Sequence, residues 1–562
     1  MDTMHPEPRD PRPAPPAPAS EPGAAPRVAV VVIGYNDRAH VADAVRSALA
    51  QGPAVAEVIA VDDCSTDGSD GLLARLAAGE PRLRVVRRSV NSGGCGTPRN
   101  TGVEEATAPY VMFLDSDDVL PPGAVDALLT AATRARAEVA SGLCVRRELP
   151  SGREQPWQAP LYTAHTVLAR PAERPRLVHD TLCVNKLYRT DFLRAHGIRF
   201  PEGRFLYEDI VFTARVLAAS PRVALVADRV YVWQVRRSAE RLSLSLDRGH
   251  IGNWTARVEA CALAYDTLLG AGQKELARAA RAKFLDHEVR MYARELVLHD
   301  ARYQREWWTR TRAYLARYDT ADWESHPAAP GHVLGRVVLA SPEPRDLDRL
   351  RELAARPARL LPPYARDREG APVWSAGLPE VSLAPLLTAP VAALPLAVDA
   401  ALRPGARAAL LRLRLHELYG TVAGAGPREV EVVWQAREDD RTRGRTAAAL
   451  TPSAADTWTA EVPVDLAGLG SGTWDLRLTL RFADGTGREV TAHALAGPGR
   501  LRRRAVPSAV HGVLLVQPYA THSGALAVRV ATGPGGVLRV LRGRLRRLLR
   551  RGRGAAGAVT AP

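Results

Sequence analysis

Two short polar segments combine acidic residues in a pattern that could do chemistry. Each segment follows an apolar run, and together they contain Asp62, Asp63, Asp115, Asp117 and Asp118. Carboxylate oxygens are hard ligands that Mg²⁺ and Mn²⁺ prefer, and a bound diphosphate can complete the coordination shell. One acidic pair alone is more often a solvated turn or a helix cap. Five acids at the ends of neighbouring strands instead predict an Mn²⁺ or Mg²⁺ site on Asp115, Asp117 and Asp118.

The elements that must position these acids alternate along the chain. The predicted strands and helices are strands 28–33, 57–61, 83–87 and 110–114 and helices 39–50, 70–78 and 98–106. This alternation of buried strands and helices predicts an α/β fold with a doubly wound, Rossmann-like sheet. Ligands of such sheets bind beyond the carboxyl ends of the strands. The polar clusters at 34–37, 62–69 and 115–118 lie at those ends.

Several stretches of this region carry a family resemblance. They are Val30–Asn36 (VVVIGYN), Val61–Gly68 (VDDCSTDG), Asn91–Gly94 (NSGG), Pro98–Gly102 (PRNTG) and Phe113–Asp118 (FLDSDD). In this order and spacing they resemble the family 2 glycosyltransferases of GT-A fold. Cys64 stands where that family commonly has Gly or Asn, and Pro98 stands where Ala is usual. Neither departure removes a group that the chemistry needs.

The resemblance implies a nucleotide-sugar donor, with a UDP-sugar expected, and assigns residues to it. Tyr35, Asn36 and Asp63 would hold the nucleotide, with Asp63 accepting a hydrogen bond from a uracil-type imide. Arg99 would contact the base or the diphosphate, the alternative being a surface position at a helix N-terminus. A cation on the acidic cluster at 115–118 would stabilise the leaving diphosphate.

A second polar block at 207–212 supplies the candidate general base. An inverting transfer needs a carboxylate that takes the proton of the attacking hydroxyl group. Asp209 is the candidate because it matches the aspartate of the family's Glu-Asp motif, and Glu208 would support it. The alternative is a pair of acids that the helix dipole favours at a helix start.

Basic residues complete the predicted site. Lys186 is one of three lysines in an arginine-rich chain, and it is predicted to contact the acceptor or a phosphate. The alternative for Lys186 is a salt bridge. Arg236 and Arg237 lie in a stretch that resembles the end of the family's catalytic domain, where they would neutralise the donor diphosphate. Trp233, in the same stretch, fits core packing as well as a sugar platform.

The whole chain of 562 residues predicts several regions. They are a disordered Pro/Ala-rich segment 1–26, a GT-A domain 27–250, a helical and linker region 251–370, one or more β-sandwich modules 371–530, and a basic amphipathic tail 531–562. This layout resembles the wall-teichoic-acid and related envelope-polymer glycosyltransferases. That resemblance implies a polymeric or lipid-linked glycan acceptor and a homo-oligomer.

Positive charge is concentrated at the C-terminal end. The chain has a net charge of +15, and thirteen arginines but no acidic residue occur from Arg500 onward. Residues 537–551 have the spacing of a basic amphipathic helix, which predicts contact with an anionic membrane surface. Nucleic acid is a less favoured partner of this helix. The alternative is a helix that is simply solvated. Scattered cysteines without a CxxC pair, and no apolar leader, predict a cytoplasmic protein, peripheral at the inner face of the plasma membrane.

Two other classes of function stay open at this point. A nucleotidyltransferase would need a Gly-rich basic loop after the first strand, whereas the loop Gly34–Arg38 is a poor phosphate cradle. A non-enzymatic membrane- or polyanion-binding protein would explain the tail but would leave the acidic strand ends without a role. We therefore expect a metal-assisted, inverting glycosyltransferase that acts on a cell-envelope glycopolymer or polysaccharide.

Overall fold

The computed structural model describes most of the chain. The described residues are 27–236, 248–324, 330–405, 408–453, 456–495 and 501–536. The predictions made for residues 1–26, for Arg237 and for the tail helix 537–551 lie outside them. The chain divides into two compact units, one of Met1–Asp247 with Glu259–Ala279 and the other of Arg248–Val258 with Ala280–Pro562.

A mixed sheet of nine strands, counted within residues 27–236, forms the core of the first unit. The strands are β1 Val28–Gly34, β2 Val55–Asp62, β3 Leu83–Arg87, β4 Tyr110–Asp115, β5 Val139–Leu149, β6 Arg153–Trp157, β7 Thr166–Leu168, β8 Lys186–Arg189 and β9 Val223–Arg236. Their order is β3-β2-β1-β4-β8-β5-β9-β7, with β6 paired to β5. Strands β3, β2, β1 and β4 are parallel to one another, and β8 runs antiparallel to β4 and β5. The α/β prediction is confirmed, and antiparallel strands extend the sheet.

Helices connect these strands. They are α1 Val41–Leu49, α2 Ser69–Ala77, α3 Gly96–Glu105, α4 Ala124–Ala135, α5 Thr190–Ala195 and α6 Glu208–Ala218. Helix α3 approaches the sheet closely, because a Cβ atom on Gly102 would lie 2.2 Å from Cγ1 of Val31. Only glycine allows this approach. The approach carries Arg99, one turn earlier, into the protein interior.

The register of the parallel strands brings the polar clusters to one edge. Gly34 pairs with Asp62, and Ile33 pairs with Asp115. Strand β1 is apolar and buried along its length, because it lies between β2 and β4 in the sheet. Its carboxyl end therefore lies beside the ends of both neighbours, as the sequence predicts.

Helices dominate the next part of the chain. They are α7 Ile251–Gly270, α8 Lys274–Lys283, the π-helix Phe284–Val289, α9 Arg290–Leu296, α10 Ala301–Leu315, α11 Thr320–Glu324, α12 Pro330–Ala340 and α13 Leu347–Ala354. The last three lie in the predicted helical and linker region 251–370 and show that helices continue into its second half. In α12 the buried residues Val333, Leu334, Val337 and Val338 have helical spacing, which the surrounding prolines and arginines masked.

The C-terminal part is rich in strands. These are β10 Ala365–Arg366, β11 Pro372–Ser375, β12 Leu378–Ser382, β13 Val398–Arg403, β14 Ala409–His416, β15 Pro427–Ala436, β16 Thr442–Ala449, β17 Thr451–Ser453, β18 Thr457–Val464, β19 Gly472–Phe482, β20 Gly487–Val490, β21 Ala492–Ala494, β22 Arg504–Ser508, β23 Gly512–Ala520 and β24 Leu526–Thr532. Short helices α14 Ala384–Leu387, α15 Thr421–Ala425 and α16 Leu466–Leu469 interrupt them.

These strands form sheets with one packed face. The larger two have the orders β17-β18-β14-β13-β21 and β16-β15-β19-β24-β23-β22, and β20 pairs with β19; β10, β11 and β12 form a third. In β14 the buried Leu411 and Leu413 alternate with exposed Arg412 and Arg414. Such alternation is typical of sheets that pack on one side, and the predicted β-rich region is confirmed. None of the helices that the structure describes has the length and apolar character needed to cross a membrane.

Candidate active site

The loop after β1 contributes one exposed ring and one structural amide. Tyr35 is 44% exposed, which leaves its ring available to a ligand. Asn36 has a positive φ of 51°. Its Oδ1 atom accepts a hydrogen bond from the backbone N–H of Thr66 (2.8 Å), and its own N–H donates to Oγ of Ser65 (2.9 Å). Asn36 therefore joins the loops after β1 and β2, and its predicted contact with the donor stays a prediction.

Asp63, at the end of β2, is buried and only half satisfied. Its Oδ2 atom accepts hydrogen bonds from Nδ2 of Asn91 (3.0 Å) and from the N–H and hydroxyl of Ser92 (3.0 and 2.8 Å). Its Oδ1 atom lies 2.9 Å from Nε of Arg88 but accepts no hydrogen bond in the described part of the chain. The loop at Asn91 and Ser92 thus fixes one oxygen of the carboxylate, and the guanidinium of Arg88 pairs with the other.

The acids after β4 occupy three different environments. Asp117 is exposed, yet the protein around it and the carboxylates of Asp115 and Asp37 raise its pKa to about 6. Asp118 is buried, with Oδ1 accepting from the backbone N–H of Gln234 (2.7 Å) and Oδ2 from the hydroxyl of Tyr231 (2.8 Å). Because both of its oxygens hold β9, Asp118 fastens the loop, which corrects its prediction as a metal ligand.

The remaining carboxylates offer an incomplete cation site. In the described ranges no three or more His, Cys, Asp or Glu side chains are grouped so that they could hold a metal ion. The mutual repulsion that helps raise the pKa of Asp117 nevertheless leaves excess negative charge beside Asp115 and Asp37, and a divalent cation would relieve it. Asp115 and Asp117 therefore fit a cation whose other ligands come from solvent or a bound diphosphate.

Arg99 of α3 links the two acidic motifs. Its Nη1 atom donates to Oε1 of Glu208 (2.6 Å) and to Oδ1 of Asp209 (2.9 Å). Its Nη2 atom donates to Oδ1 of Asp115 (2.7 Å). The residue is 2% exposed. This burial contradicts both the predicted contact with the donor and the alternative of a surface position, because Arg99 is an internal bridge between carboxylates.

Glu208 and Asp209 begin helix α6, as predicted. The Asp209 side chain is 22% exposed and the Glu208 side chain 13%. Burial and the negative charge of Asp209 raise the pKa of Glu208 to about 7, although Arg99 opposes this shift. Oδ2 of Asp209 accepts from the backbone N–H of Cys183 at 3.4 Å. Asp209 is therefore the more accessible acid of the pair and stays the candidate base.

We expect Glu208→Gln to stabilise the fold at about pH 8 relative to about pH 5. The raised pKa means that the folded chain holds a proton that the unfolded chain releases between the ordinary value of 4.5 and about 7. Wild-type stability therefore falls as the pH rises through this window, and glutamine removes that cost. Thermal unfolding of both proteins between these pH values measures the effect.

Glu202→Gln is the control without pH dependence in this window. Hydrogen bonds from Arg199 and Asn100 lower the pKa of Glu202 below its ordinary value of 4.5, so its ionised form stabilises the fold. Because Glu202 is ionised in the folded and the unfolded chain above that value, its variant should lose the same stability at about pH 5 and about pH 8. A melting-temperature difference for Glu208→Gln that is the same at both pH values would contradict the assignment.

Lys186 makes its contacts inside the protein. Nζ of Lys186 donates to Oδ2 of Asp180 (3.0 Å), to Oδ1 of Asn185 (3.0 Å) and to the carbonyl of Leu182 (2.5 Å), and it is buried. The predicted acceptor or phosphate contact is therefore wrong, and the salt-bridge alternative holds.

Arg236, at the end of β9, donates from Nη1 to the carbonyl oxygen of Asp117 (3.0 Å), so it lies at the acidic cluster. Arg237 lies outside the described residues.

Two residues of the site were not identified from the sequence. Asp37 accepts from Oγ of Ser116 (2.8 Å), which joins the loops after β1 and β4. The hydroxyl of Tyr231 bonds the backbone N–H of Asp115 as well as Asp118. The proximity of Asp37 to the Gly34–Asn36 segment was the available signal for the first, whereas the long-range contact of Tyr231 has no local signature.

Known proteins resemble this chain over its first half and in its overall architecture. The sequence profile of the family described as glycosyl transferase family 2 matches residues 29–197. The poly(ribitol-phosphate) beta-N-acetylglucosaminyltransferase TarS of Staphylococcus aureus is 29% identical over 219 residues, which cover 39% of this chain and 37% of TarS. The chain thus aligns with little more than a third of that relative.

Two further likenesses extend the comparison. The succinoglycan biosynthesis protein ExoO of Rhizobium meliloti is 30% identical over 267 residues, covering 46% of this chain and 73% of ExoO. The crystal structure of S. aureus TarS superposes with a TM-score of 0.50 at 18% identity, covering 90% of this chain and 85% of that chain. At this identity the structural likeness concerns the fold.

Proposed function

This chain belongs to glycosyl transferase family 2, and we propose that it transfers a sugar, with inversion, from a UDP-sugar to a hydroxyl group of an envelope glycopolymer or polysaccharide. The observation that carries the proposal is the Arg99 bridge. One guanidinium lies 2.7 Å from Asp115 at the strand end and 2.9 Å from Asp209 at the start of α6. A donor held at the first carboxylate is thereby placed beside a base at the second.

The donor half of the site suits a nucleotide diphosphate. The exposed ring of Tyr35 offers a stacking surface for the base, and the carboxylate of Asp63 beside it accepts the imide N–H of the base. Arg236 neutralises charge on the diphosphate from the end of β9. When bound, an Mn²⁺ or Mg²⁺ ion on Asp115 and Asp117 supplies further stabilisation of the leaving group.

The acceptor half of the site provides the proton acceptor. Asp209 takes the proton of the attacking hydroxyl group as the new bond forms at the anomeric carbon. Arg99 holds Asp209 in position from the side of α3, and Glu208 shares that guanidinium. Inversion requires the base and the leaving group on opposite sides of the sugar, and it belongs to the proposal together with the role of Asp209.

The names of the relatives support a polymer acceptor. TarS is named for a transfer to poly(ribitol phosphate), and ExoO for succinoglycan biosynthesis. We extend to this chain only the common element, an envelope polymer or its lipid-linked precursor. A homo-oligomer, and a cytoplasmic position at the inner membrane surface, belong to the same proposal.

A binding experiment on Asp117→Asn tests the proposal. Binding and hydrolysis of a panel of UDP-, GDP- and dTDP-sugars are measured with Mn²⁺ or Mg²⁺ and without metal. We expect wild type to bind one UDP-sugar in a metal-dependent manner. The variant should bind it at least about tenfold more weakly, because a charge-assisted contact worth about 1.5–3 kcal/mol is lost.

Asp126→Asn is the matched control, since Asp126 is exposed in the first turn of α4. It should bind the same sugar as tightly as wild type. Folded wild-type protein that binds none of the nucleotide sugars would overturn the proposal. Equal affinity in wild type and Asp117→Asn would remove Asp117 from the donor site.

A further inference from the structure

A cationic aromatic cluster lies on the sheet beside the proposed site. It consists of Trp157 on β6, Trp233 on β9 and Arg146 on β5. The two tryptophan rings meet edge to face, with centroids 6.3 Å apart at 79°. The guanidinium carbon of Arg146 lies 5.4 Å from the centre of the Trp233 ring. Arg146 and Trp233 are register partners, so their side chains leave the same face of the sheet.

Covalent neighbours and hydrogen bonds tie this cluster to the acidic loop. Trp233 lies between Tyr231 and Gln234, the two residues that hold the carboxylate of Asp118. The ring N–H of Trp157 donates to Oδ1 of Asp180 at 2.9 Å.

The same cluster connects to the candidate base. The segment that begins at Asp180 continues to Cys183, whose N–H donates to Asp209. The cluster is thus linked through the neighbours of Trp233 to the loop of the proposed cation, and through Asp180 to the segment that holds the proposed base. An acceptor must lie between these two groups.

Arg146 differs from the arginine next to it. Arg147 points to the opposite face and donates to Glu154 at 2.7 Å, and Arg229 donates to the same carboxylate. In the part of the chain that the structure describes, Arg146 makes no salt bridge, and its buried Nε donates to no acceptor. A half-buried guanidinium that covers a tryptophan face without a counter-ion has unused donors that match an oxyanion.

We propose that the cationic aromatic cluster is the acceptor subsite, and that it takes a repeat unit bearing an oxyanion. This inference rests on the proposed function, because it assigns the acceptor to the same active site. Arg146 donates two parallel hydrogen bonds to a phosphate ester or a carboxylate. The rings of Trp157 and Trp233 pack against the CH groups of the adjoining polyol or sugar.

The test measures transfer to three acceptors of equal length, an oligo(ribitol phosphate), an oligogalacturonate and a neutral malto-oligosaccharide. In Arg146→Gln the KM for an anionic acceptor should rise at least about tenfold. The KM for the donor and the rate of donor hydrolysis should stay as in wild type. Trp233→Leu should raise the KM for anionic and neutral acceptors alike.

Arg147→Gln is the control, because it removes an arginine from the opposite face of the same strand. It should change no KM by more than about twofold. A rise in KM that is confined to the phosphate oligomer, or to the uronate oligomer, identifies the oxyanion. An equal rise for the neutral acceptor, or no rise at all, would overturn the inference.

Binding without a donor separates this inference from the proposed function. Quenching of tryptophan fluorescence by the anionic oligomers should occur in wild type and Arg147→Gln and be lost in Arg146→Gln. Wild-type protein that hydrolyses a nucleotide sugar but shows neither quenching nor transfer with any anionic oligomer refutes the subsite alone. Failure to use any nucleotide sugar refutes the proposed function instead.

Discussion

Asp209→Asn lowers the rate of sugar transfer by about 10²–10⁴-fold, the range expected when a general base is lost. Asparagine has nearly the same size and keeps an oxygen that can accept from Arg99, which lies 2.9 Å from Oδ1 of Asp209. It cannot take a proton from the acceptor. The loss therefore falls on kcat, with little change in donor affinity, and it is measured by initial rates together with titration of the donor.

Two further variants make this result specific. Asp191→Asn removes an exposed acid from the first turn of α5, a similar position at a helix start, and should leave kcat unchanged. Glu208→Gln tests the neighbour, whose pKa of about 7 would also suit a base. If Glu208→Gln abolishes transfer while Asp209→Asn retains nearly full kcat, the two acids have exchanged roles.

The sequence predicts which polar clusters meet at one edge of the sheet, because strand ends are local features. Each apolar run is long enough for one buried strand. In a parallel sheet the carboxyl ends of all strands lie at the same edge, so the polar residues that follow the strands lie at that edge. The register that pairs Ile33 with Asp115 follows from this pattern. The same reasoning places Asp63 at the end of β2, whereas Arg236 is predicted from the family resemblance of its stretch.

Other residues depend on contacts that no local pattern contains. Arg99 is sixteen residues before Asp115 but more than one hundred before Asp209, so only the folded chain shows that it bridges them. The sequence predicts a contact of Arg99 with the donor, or else a surface position at a helix N-terminus, whereas Gly102 allows α3 to approach β1 closely and Arg99 is buried.

Lys186 shows how rarity can mislead. It is one of three lysines, and that rarity suggested a functional contact. The residues from Cys183 to Tyr188 are all buried, since β8 lies between β4 and β5. A buried ammonium group needs hydrogen-bond acceptors inside the protein, and the carboxylate of Asp180 is one of them. Rarity of a residue type therefore carries less weight than the apolar character of its surroundings.

Arg99→Met should destabilise the first unit by about 3–5 kcal/mol, the range for breaking a buried ion pair by removing one partner. Methionine has similar length and fills the space beside the Phe200 ring, which the guanidinium approaches to 5.3 Å. It leaves the carboxylates of Asp115, Glu208 and Asp209 facing one another without a cation. Urea unfolding at about pH 8 measures the loss.

The pH dependence of that loss separates charge from packing. Protonation relieves the repulsion among the three uncompensated carboxylates, so the deficit of Arg99→Met should shrink as the pH falls toward about 5. Arg134→Met, on the exposed end of α4, should change stability little at either pH. Arg99→Lys should recover only part of the stability, because one ammonium group cannot reproduce the forked contacts of the guanidinium. A deficit that is equal at both pH values would mean that Arg99 acts through packing, and the bridge would then be no reason to join the two acidic motifs in one site.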